Sequence, residues 1–196
     1  MKAGLRHVIV ITGTPGTGKT AVAAGVADRI GAKWFSLGDL AVKHGYILGK
    51  DRDRGTLVAD EDGLRVFLER FICEVGGRII IEGHYSHIAP EKYLDCCIVL
   101  RTAPEELERR LLSKGYSEGK VLENVQAEIL GVCAYNALMA YGRARIFELD
   151  TSHRDVDSVV DEAVEIVECR PKSYSLGKIN WLSSLSREGF KRYFQD

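Results

Sequence analysis

A glycine-rich segment near the start of the chain has the residue types and spacing of a phosphate-binding loop. Residues 13–20 fit the pattern G-x-x-x-x-G-K-[ST], with Gly13, Gly18, Lys19 and Thr20 at the fixed positions. Glycines let the backbone curl so that several N–H groups converge on phosphate oxygens. The lysine ammonium then offsets charge on the β- and γ-phosphates, and the threonine hydroxyl binds Mg²⁺. The segment therefore predicts a site for a nucleoside triphosphate.

A second motif overlaps this loop. Gly16, Gly18 and Ala21 also fit the G-x-G-x-x-A pattern of dinucleotide-binding folds, and Asp39 lies at about the distance expected of a ribose-binding acid. The loop is longer than the dinucleotide-binding turn, however, and a Lys-Thr pair at the helix start has no role in such a site. We therefore favour the triphosphate interpretation. The residues of this segment predicted to contact ATP are Gly13, Gly16, Gly18, Lys19, Thr20 and Ala21.

A carboxylate and a histidine follow the run Ile79, Ile80 and Ile81: Glu82 comes next, and His84 lies two residues further on. A carboxylate at the carboxyl end of a parallel strand lies beside the phosphate loop, where it can hold the water shell of Mg²⁺. By residue type alone, Glu82 is also consistent with a solvated acid at a strand end. His84 is likewise consistent with an ordinary polar loop residue.

Short apolar runs alternate with amphipathic helical patterns along the chain. The runs lack polar alternation and so predict buried parallel strands over residues 7–12, 33–36, 78–82, 96–101 and 145–149. The strongest helical stripe contains Leu64, Phe67, Leu68, Phe71, Ile72 and Val75. A weaker stripe predicts one continuous helix from Leu122 to Cys133. This alternation predicts a doubly wound α/β fold, a five-stranded parallel sheet with helices on both faces.

The composition is that of an ordinary globular protein, with 45% hydrophobic and 28% charged residues and a net charge of -1. Bulk charge therefore does not indicate nucleic-acid or membrane binding. We see no signal peptide or membrane span, and we expect a cytoplasmic protein, or a nuclear one if the source is eukaryotic. The five cysteines have no CxxC spacing, which favours small hydrophobic core positions over disulfides or a metal-cysteine site.

Several stretches beyond the loop resemble the adenylate-kinase-like family typified by adenylate kinase isoenzyme 6. The resemblance runs from about residue 7 to residue 168. Its motifs are Gly-Asp-Leu-Ala at 38–41, Asp-Glu-Asp at 60–62, Glu-Gly-His at 82–84, Val-Leu-Arg-Thr at 99–102, Glu-Arg-Arg-Leu at 108–111, Lys-Gly-Tyr at 114–116 and Glu-Asn-Val-Gln-Ala-Glu-Ile at 123–129. The last two are the most specific. The family consists of P-loop nucleoside monophosphate kinases with ATPase activity, implicated in rRNA processing and maturation of the small ribosomal subunit.

The resemblance implies that ATP and AMP give two ADP, with Mg²⁺ as cofactor and a sheet order of 2-3-1-4-5. Lys19 and Lys114 would stabilise the transferring phosphoryl group, and Thr20 and Glu82 would hold Mg²⁺. His84 would position or activate a water molecule for ATP hydrolysis. The chain departs from the family pattern at two of these positions. Eukaryotic members tend to have Asp at the Glu82 position, and many members have Arg at the Lys114 position.

Other residues are candidates for the two nucleotide subsites. The resemblance makes Asp39 an acceptor-binding residue and places Arg154 beside the adenine ring of ATP. Arg52 and Arg54 have the guanidinium forks that suit an acceptor phosphate, although they also fit a solvated charged loop. Arg110 either faces the phosphates or pairs with a nearby glutamate on its own helix.

We divide the chain into a P-loop kinase core, residues 1–170, and a C-terminal extension, residues 171–196. The core holds an acceptor-binding segment at about 36–59 and a lid at about 113–123. The extension contains five basic, two acidic and five aromatic residues. It is either an arm packed on the core or a docking segment for RNA or a protein. The resemblance implies a small-subunit ribosomal platform protein and the pre-ribosomal particle as partners.

Two other functions are also compatible with the phosphate-loop motif. One is an assembly ATPase that uses hydrolysis as a release switch and has little role as a nucleoside monophosphate kinase. The other is a kinase for another small acceptor, such as shikimate or a nucleoside, which would not explain the pairing of Glu82 with His84. The sequence also leaves the choice among AMP, dAMP and CMP open.

Overall fold

Apolar strands separated by amphipathic helices build a layered α/β structure in the computed structural model, which describes residues 7–51 and 56–195. The helices and strands are β1 Val8–Gly13, α1 Lys19–Ile30, β2 Lys33–Ser36, α2 Leu37–Lys43, β3 Ile47–Asp51, β4 Thr56–Ala59, α3 Glu61–Val75, β5 Ile79–Glu82, β6 Leu94–Arg101, α4 Pro104–Ser113, α5 Glu118–Ile129, α6 Val132–Tyr141, β7 Ile146–Asp150, α7 Val156–Cys169, α8 Trp181–Ser184 and α9 Arg187–Phe194.

Five of these strands form a parallel sheet in the order β2-β5-β1-β6-β7. Numbered within the sheet, this order is 2-3-1-4-5, as the resemblance implied. In the register, Glu82 of β5 pairs with Ile11 of β1 on one side and with Ser36 of β2 on the other. The carboxyl ends of these three strands therefore meet at one edge of the sheet, where α/β folds bind their ligands.

Helices cover both faces of the sheet, which confirms the predicted fold class. Because strand side chains alternate between faces, Val8 and Val10 pack on one side with residues of α3 and α6. Ile9 and Ile11 pack on the other side with residues of α1 and α7. The whole of β1 is buried. The phosphate loop that follows β1 is therefore anchored at the centre of the molecule.

Several local expectations need correction. The strand β2 lies at the sheet edge and exposes Trp34, so it is not a fully buried strand. The helix predicted from Leu122 to Cys133 is two helices, because Gly131 adopts a left-handed φ of 67° between α5 and α6. The loop-rich segment 36–59 contains α2 and an antiparallel hairpin of β3 and β4.

The cysteines also differ from expectation in part. Cys96 and Cys97 are buried on opposite faces of β6, as their adjacency predicted. Cys73 and Cys169 are exposed, so they are not core residues. Cys133 is half-buried beside the phosphate loop, where its Sγ donates to the His84 carbonyl.

The C-terminal extension packs against α4 and α5. Tyr193 of α9 is buried among Leu107, Leu111, Val121, Val125 and Ile129, with Trp181 and Leu185 packed against the same cluster. Leu182 and Phe190 remain exposed. Within residues 7–51 and 56–195, no helix has the length and apolar character needed to cross a membrane.

Candidate active site

The loop between β1 and α1 requires glycine at two close approaches. Gly13 has a φ of 149°, and a Cβ there would lie 2.5 Å from the Leu100 carbonyl oxygen. Gly16 has a φ of 96°, and a Cβ there would lie 2.8 Å from Cδ1 of Leu107 on α4. Larger side chains would strain the backbone and push the loop away from its neighbours. The glycines thus allow the loop to curl tightly over the end of β1.

Thr14 is the centre of the hydrogen bonding inside this loop. Its carbonyl oxygen accepts from Lys19 Nζ at 3.1 Å, from Thr17 Oγ1 at 2.9 Å and from the Thr17 amide at 3.2 Å. Burial lowers the pKa of the Lys19 ammonium, although Glu82 and Glu128 act in the opposite direction. The lysine predicted to contact phosphates is therefore held inside the loop by a main-chain acceptor.

Thr20 and Glu82 meet at the start of α1. Thr20 Oγ1 donates to Glu82 Oε1 at 3.2 Å, and only 5% of the Glu82 residue is exposed. Burial raises the pKa of the Glu82 carboxyl, while Lys19 and hydrogen bonds from Thr20 and Ser36 oppose that rise. Adjacent hydroxyl and carboxylate oxygens fit Mg²⁺, which is bound by few protein ligands together with phosphates and water. The described part of the chain has no group of three or more His, Cys, Asp or Glu arranged for a metal.

A cleft of about 850 Å³ opens at this edge of the sheet. Its lining includes Lys19 from the phosphate loop, Ser36 and Asp39 from the β2–α2 junction, and Glu82 and His84 from the end of β5. Asp39 is exposed in the first turn of α2, and its amide donates to Ser36 Oγ at 3.3 Å. The structure therefore places Lys19, Glu82 and Asp39, one residue predicted for each of donor, metal and acceptor, in the same cleft. The other two acceptor candidates, Arg52 and Arg54, lie outside the described residues.

His84 extends into the cleft beside Lys19. Its carbonyl accepts from Thr12 Oγ1 at 3.3 Å, and its ring meets Tyr85 edge-on with 4.5 Å between centroids. The imidazole reaches the cleft surface, yet the surrounding protein atoms remove enough water to lower its pKa to about 4. The positive charge of Lys19 adds to this effect, followed by His87 and Lys120. Near neutral pH, His84 is therefore an uncharged imidazole, which can accept a proton.

The segment predicted as a lid is mostly helical. Only residues 114–117 separate α4 from α5, and the remainder of 113–123 belongs to those two helices. Lys114 is the C-cap residue that follows α4, and it is exposed. Its positive charge also contributes, less than burial does, to lowering the pKa of Lys19.

A smaller pocket of about 280 Å³ lies on the other side of the loop, next to Thr17 and Gly18. Arg154 lines it and is fixed by two hydrogen bonds to Glu162, at 2.6 and 3.0 Å. Arg110 lines the same pocket, and its Nε donates to Glu106 on the same helix at 2.9 Å, which is the pairing considered for it. Ala21 lies exposed in the first turn of α1.

Arg109, which the sequence did not single out as a site residue, also lines the smaller pocket. Its guanidinium bonds Glu106 at 2.8 and 2.9 Å. Hydrogen bonds from Arg109 and then Arg110 outweigh burial and lower the pKa of the Glu106 carboxyl to about 2. The pair of adjacent arginines in the Glu-Arg-Arg-Leu motif was the signal that could have found this residue.

Sheet order, phosphate loop and cleft together define a P-loop kinase fold. Solved structures of two small-molecule kinases share it. Shikimate kinase from Bacteroides thetaiotaomicron matches with a TM-score of 0.56 and 18% identity over 82% of this chain and 98% of that one. A gluconokinase from Sinorhizobium meliloti matches with a TM-score of 0.54 and 15% identity over 83% of this chain and 92% of that one. At such low identity the similarity establishes the fold alone.

Sequence comparison then places the chain in a family. A family model described as an AAA domain matches residues 9–131. A protein of Methanocaldococcus jannaschii named "Putative adenylate kinase" is 38% identical over 173 residues, covering 88% of this chain and 92% of the relative. A protein of the same name from Methanothermobacter thermautotrophicus is 42% identical over 160 residues, covering 82% and 89%. The chain belongs to this family of adenylate-kinase-like P-loop proteins.

Proposed function

We propose that this protein is an ATP:nucleoside monophosphate phosphotransferase of the adenylate kinase type, which transfers the γ-phosphoryl group of ATP to AMP. The observation that carries the proposal is the single cleft lined by Lys19, Glu82 and Asp39. A donor loop and a separate acceptor side that share one cleft allow two nucleotides to be held with their phosphates facing each other. The names of the archaeal relatives support the same reaction.

In this reaction an oxygen of the AMP phosphate forms a bond to the γ-phosphorus of ATP. The bond between that phosphorus and the oxygen bridging to the β-phosphate breaks, and the two products are both ADP. Loop amides and Lys19 stabilise the charge that spreads over the transferring group, and Lys114 adds a second cation from the lid side. Mg²⁺, held by Thr20 and Glu82, would neutralise charge on the β- and γ-phosphates. Asp39 orients the acceptor.

ATP hydrolysis is a second candidate activity, favoured by the environment of His84. The residue lies in the cleft near Lys19, and because its pKa is lowered to about 4 its imidazole is neutral and keeps a free ring nitrogen that can position a water molecule by hydrogen bonding. AMP needs no such residue, because its phosphate oxygen is already a nucleophile. Kinase and hydrolase activity are compatible with one another in the same site.

The experiment that tests the proposal uses purified protein with Mg²⁺-ATP and a panel of acceptors. AMP, dAMP, CMP, shikimate and gluconate are supplied separately, and both labelled diphosphate and free phosphate are measured. Rapid formation of ADP from labelled AMP is expected. Phosphorylation of shikimate or gluconate without AMP would refute the acceptor assignment, and free phosphate with every acceptor would favour the assembly ATPase.

A role in maturation of the small ribosomal subunit is a separate proposal. Its support is the resemblance at residues 114–116 and 123–129, where the motifs are most specific to the isoenzyme 6 family. Binding of the full chain to a small-subunit ribosomal platform protein, measured with and without ATP, tests it. No measurable binding in either state would remove this role.

A further inference from the structure

Glu128, in the last turn of α5, is a buried glutamate, with only 1% of the whole residue exposed. One oxygen, Oε2, accepts from the hydroxyl of Thr14 in the phosphate loop at 2.6 Å. The other, Oε1, accepts from Arg101 Nε at 2.7 Å and from the indole N–H of Trp181 at 3.1 Å. A single buried side chain thus contacts the phosphate loop, the end of β6 and the first residue of α8.

Thr14 links Glu128 to Lys19, the lysine predicted to bind phosphates. The Thr14 hydroxyl donates to Glu128, and the Thr14 carbonyl accepts from Lys19 Nζ at 3.1 Å. Fixing the side chain of Thr14 restricts the rotation of its backbone, and hence the direction of that carbonyl. Trp181, Glu128, Thr14 and Lys19 are therefore connected by consecutive direct hydrogen bonds.

A buried ionic network anchors the C-terminal extension at the same place. Arg101 bonds Glu128 and, through Nη1, Glu148 Oε1 at 2.6 Å, and the exposed fractions of these side chains are 4%, 2% and 2%. Glu148 Oε2 accepts from the amides of Gly177 and Lys178 at 2.6 and 3.1 Å. Burial alone would lower the pKa of Arg101, but the charges and hydrogen bonds of the two glutamates raise it. Backbone amides at the start of the extension therefore bond a buried carboxylate of the core.

The same extension holds both helices that flank residues 114–117. The Tyr193 hydroxyl donates to Glu108 Oε2 on α4 at 2.9 Å, and Gln126 Nε2 on α5 donates to the Tyr193 carbonyl at 2.6 Å. These contacts connect α9 to α4 and α5 and do not involve Glu128. The extension thus offers two sets of contacts that can be altered separately, one through Trp181 and one through Tyr193.

We propose that Glu128 is a positioning residue for the phosphate loop and that Trp181 couples the C-terminal extension to that loop through it. This inference rests on the proposed function, because the loop is taken to bind ATP. It assigns the extension a part in holding the donor site, in addition to covering α4 and α5.

The test removes single hydrogen bonds while keeping shape. Thr14→Val deletes the hydroxyl that donates to Glu128, and Trp181→Phe deletes the indole N–H. Loss of a bond to a charged group predicts a decrease of about tenfold or more in kcat/KM for ATP with Thr14→Val, and a smaller decrease with Trp181→Phe. Thr14→Ser, which restores the hydroxyl, should recover most of the loss. Tyr193→Phe is the matched control, since it weakens the extension without touching Glu128.

A spectroscopic measurement separates coupling from general destabilisation. The chain has two tryptophans, so Trp34→Phe leaves Trp181 as the only one. ATP should change the Trp181 fluorescence of this parent, and adding Thr14→Val should abolish the change at a temperature where the variant is folded. Two results would overturn this inference and leave the proposed function standing. One is a Thr14→Val protein that binds and turns over ATP like its parent. The other is a Tyr193→Phe protein that is as impaired as Trp181→Phe. A parent that binds no ATP would overturn the proposed function as well.

Discussion

Thr20 and Glu82 are 62 positions apart in the chain, yet Thr20 Oγ1 lies 3.2 Å from Glu82 Oε1. The approach follows from the sheet, because β5 pairs directly with β1 and ends where β1 passes into the phosphate loop. The helix start and the strand end therefore present a hydroxyl and a carboxylate to the same point. This pair is where we expect Mg²⁺ to accompany ATP.

Changing Glu82 tests that site. Glu82→Gln keeps the shape but removes the charge, so we expect the Mg²⁺ concentration for half-maximal rate to rise by about tenfold to a hundredfold. Glu82→Asp, with the carboxylate found in eukaryotic members, should raise it less. The measurement is a Mg²⁺ titration of phosphoryl transfer at saturating ATP. Glu69→Gln, on an exposed carboxylate paired with Lys92, is the control. Unchanged Mg²⁺ dependence in Glu82→Gln would exclude a role for this residue.

Removing the loop lysine should abolish most catalysis without unfolding the protein. Lys19→Ala is expected to reduce kcat by about 10²- to 10³-fold, because a cation aimed at the transferring phosphoryl group is lost. Circular dichroism and thermal unfolding would establish that the fold persists. Lys92→Ala removes an exposed lysine outside the cleft and should leave turnover unchanged. Full activity of Lys19→Ala would refute the assignment of the loop.

Gly16 should tolerate no side chain, because its Cβ would lie 2.8 Å from Leu107 Cδ1 at a φ of 96°. Gly16→Ala is expected to displace the loop and weaken ATP binding by at least about tenfold, together with a stability loss of about 1–3 kcal/mol. Calorimetric titration with ATP and denaturant unfolding measure the two effects. Gly31→Ala is the matched control, since Gly31 has a φ of 64° with open space around its Cβ. It should lose some stability and keep ATP affinity.

His84→Ala separates hydrolysis from transfer. We expect ATP hydrolysis without acceptor to fall by about a hundredfold and AMP phosphorylation to change little. Because the folded-state pKa is lowered to about 4, the neutral form predominates above that value. Hydrolysis that depends on His84 should therefore be constant from about pH 6 to 8 and decline as pH falls toward 4. His7→Gln, at the amino end of β1, is the control. Equal loss of both activities in His84→Ala would reject a separate hydrolytic role.

Asp39→Asn tests the acceptor side independently. Asp39 lines the cleft from α2. We expect the KM for AMP to rise by about tenfold while the KM for ATP stays constant, since only the acceptor loses a contact. Initial rates with each substrate varied in turn make the comparison. A parallel rise in both constants would indicate a structural role for Asp39 instead.

The fold was predictable because its signals are local. The alternation of apolar runs with helical stripes predicted the bounds of the five strands within one or two residues. Predictions failed where a single residue or an edge position decided the outcome. Gly131 divides one expected helix into two, and β2 is exposed because it forms an edge of the sheet. The hairpin of β3 and β4 was missed since both strands are short and β3 contains Gly49, Lys50 and Asp51.

The sequence by itself determined the phosphate loop, since a motif of eight adjacent positions encodes its own geometry. The chain also specified a doubly wound sheet by its periodicity. Only the tertiary structure decided that Thr20 meets Glu82, that Arg109 borders the smaller pocket, and that Glu128 joins Thr14 to Trp181. Such contacts join residues far apart in the chain. Their distances depend on strand order, register and helix packing, which no local pattern of residues contains.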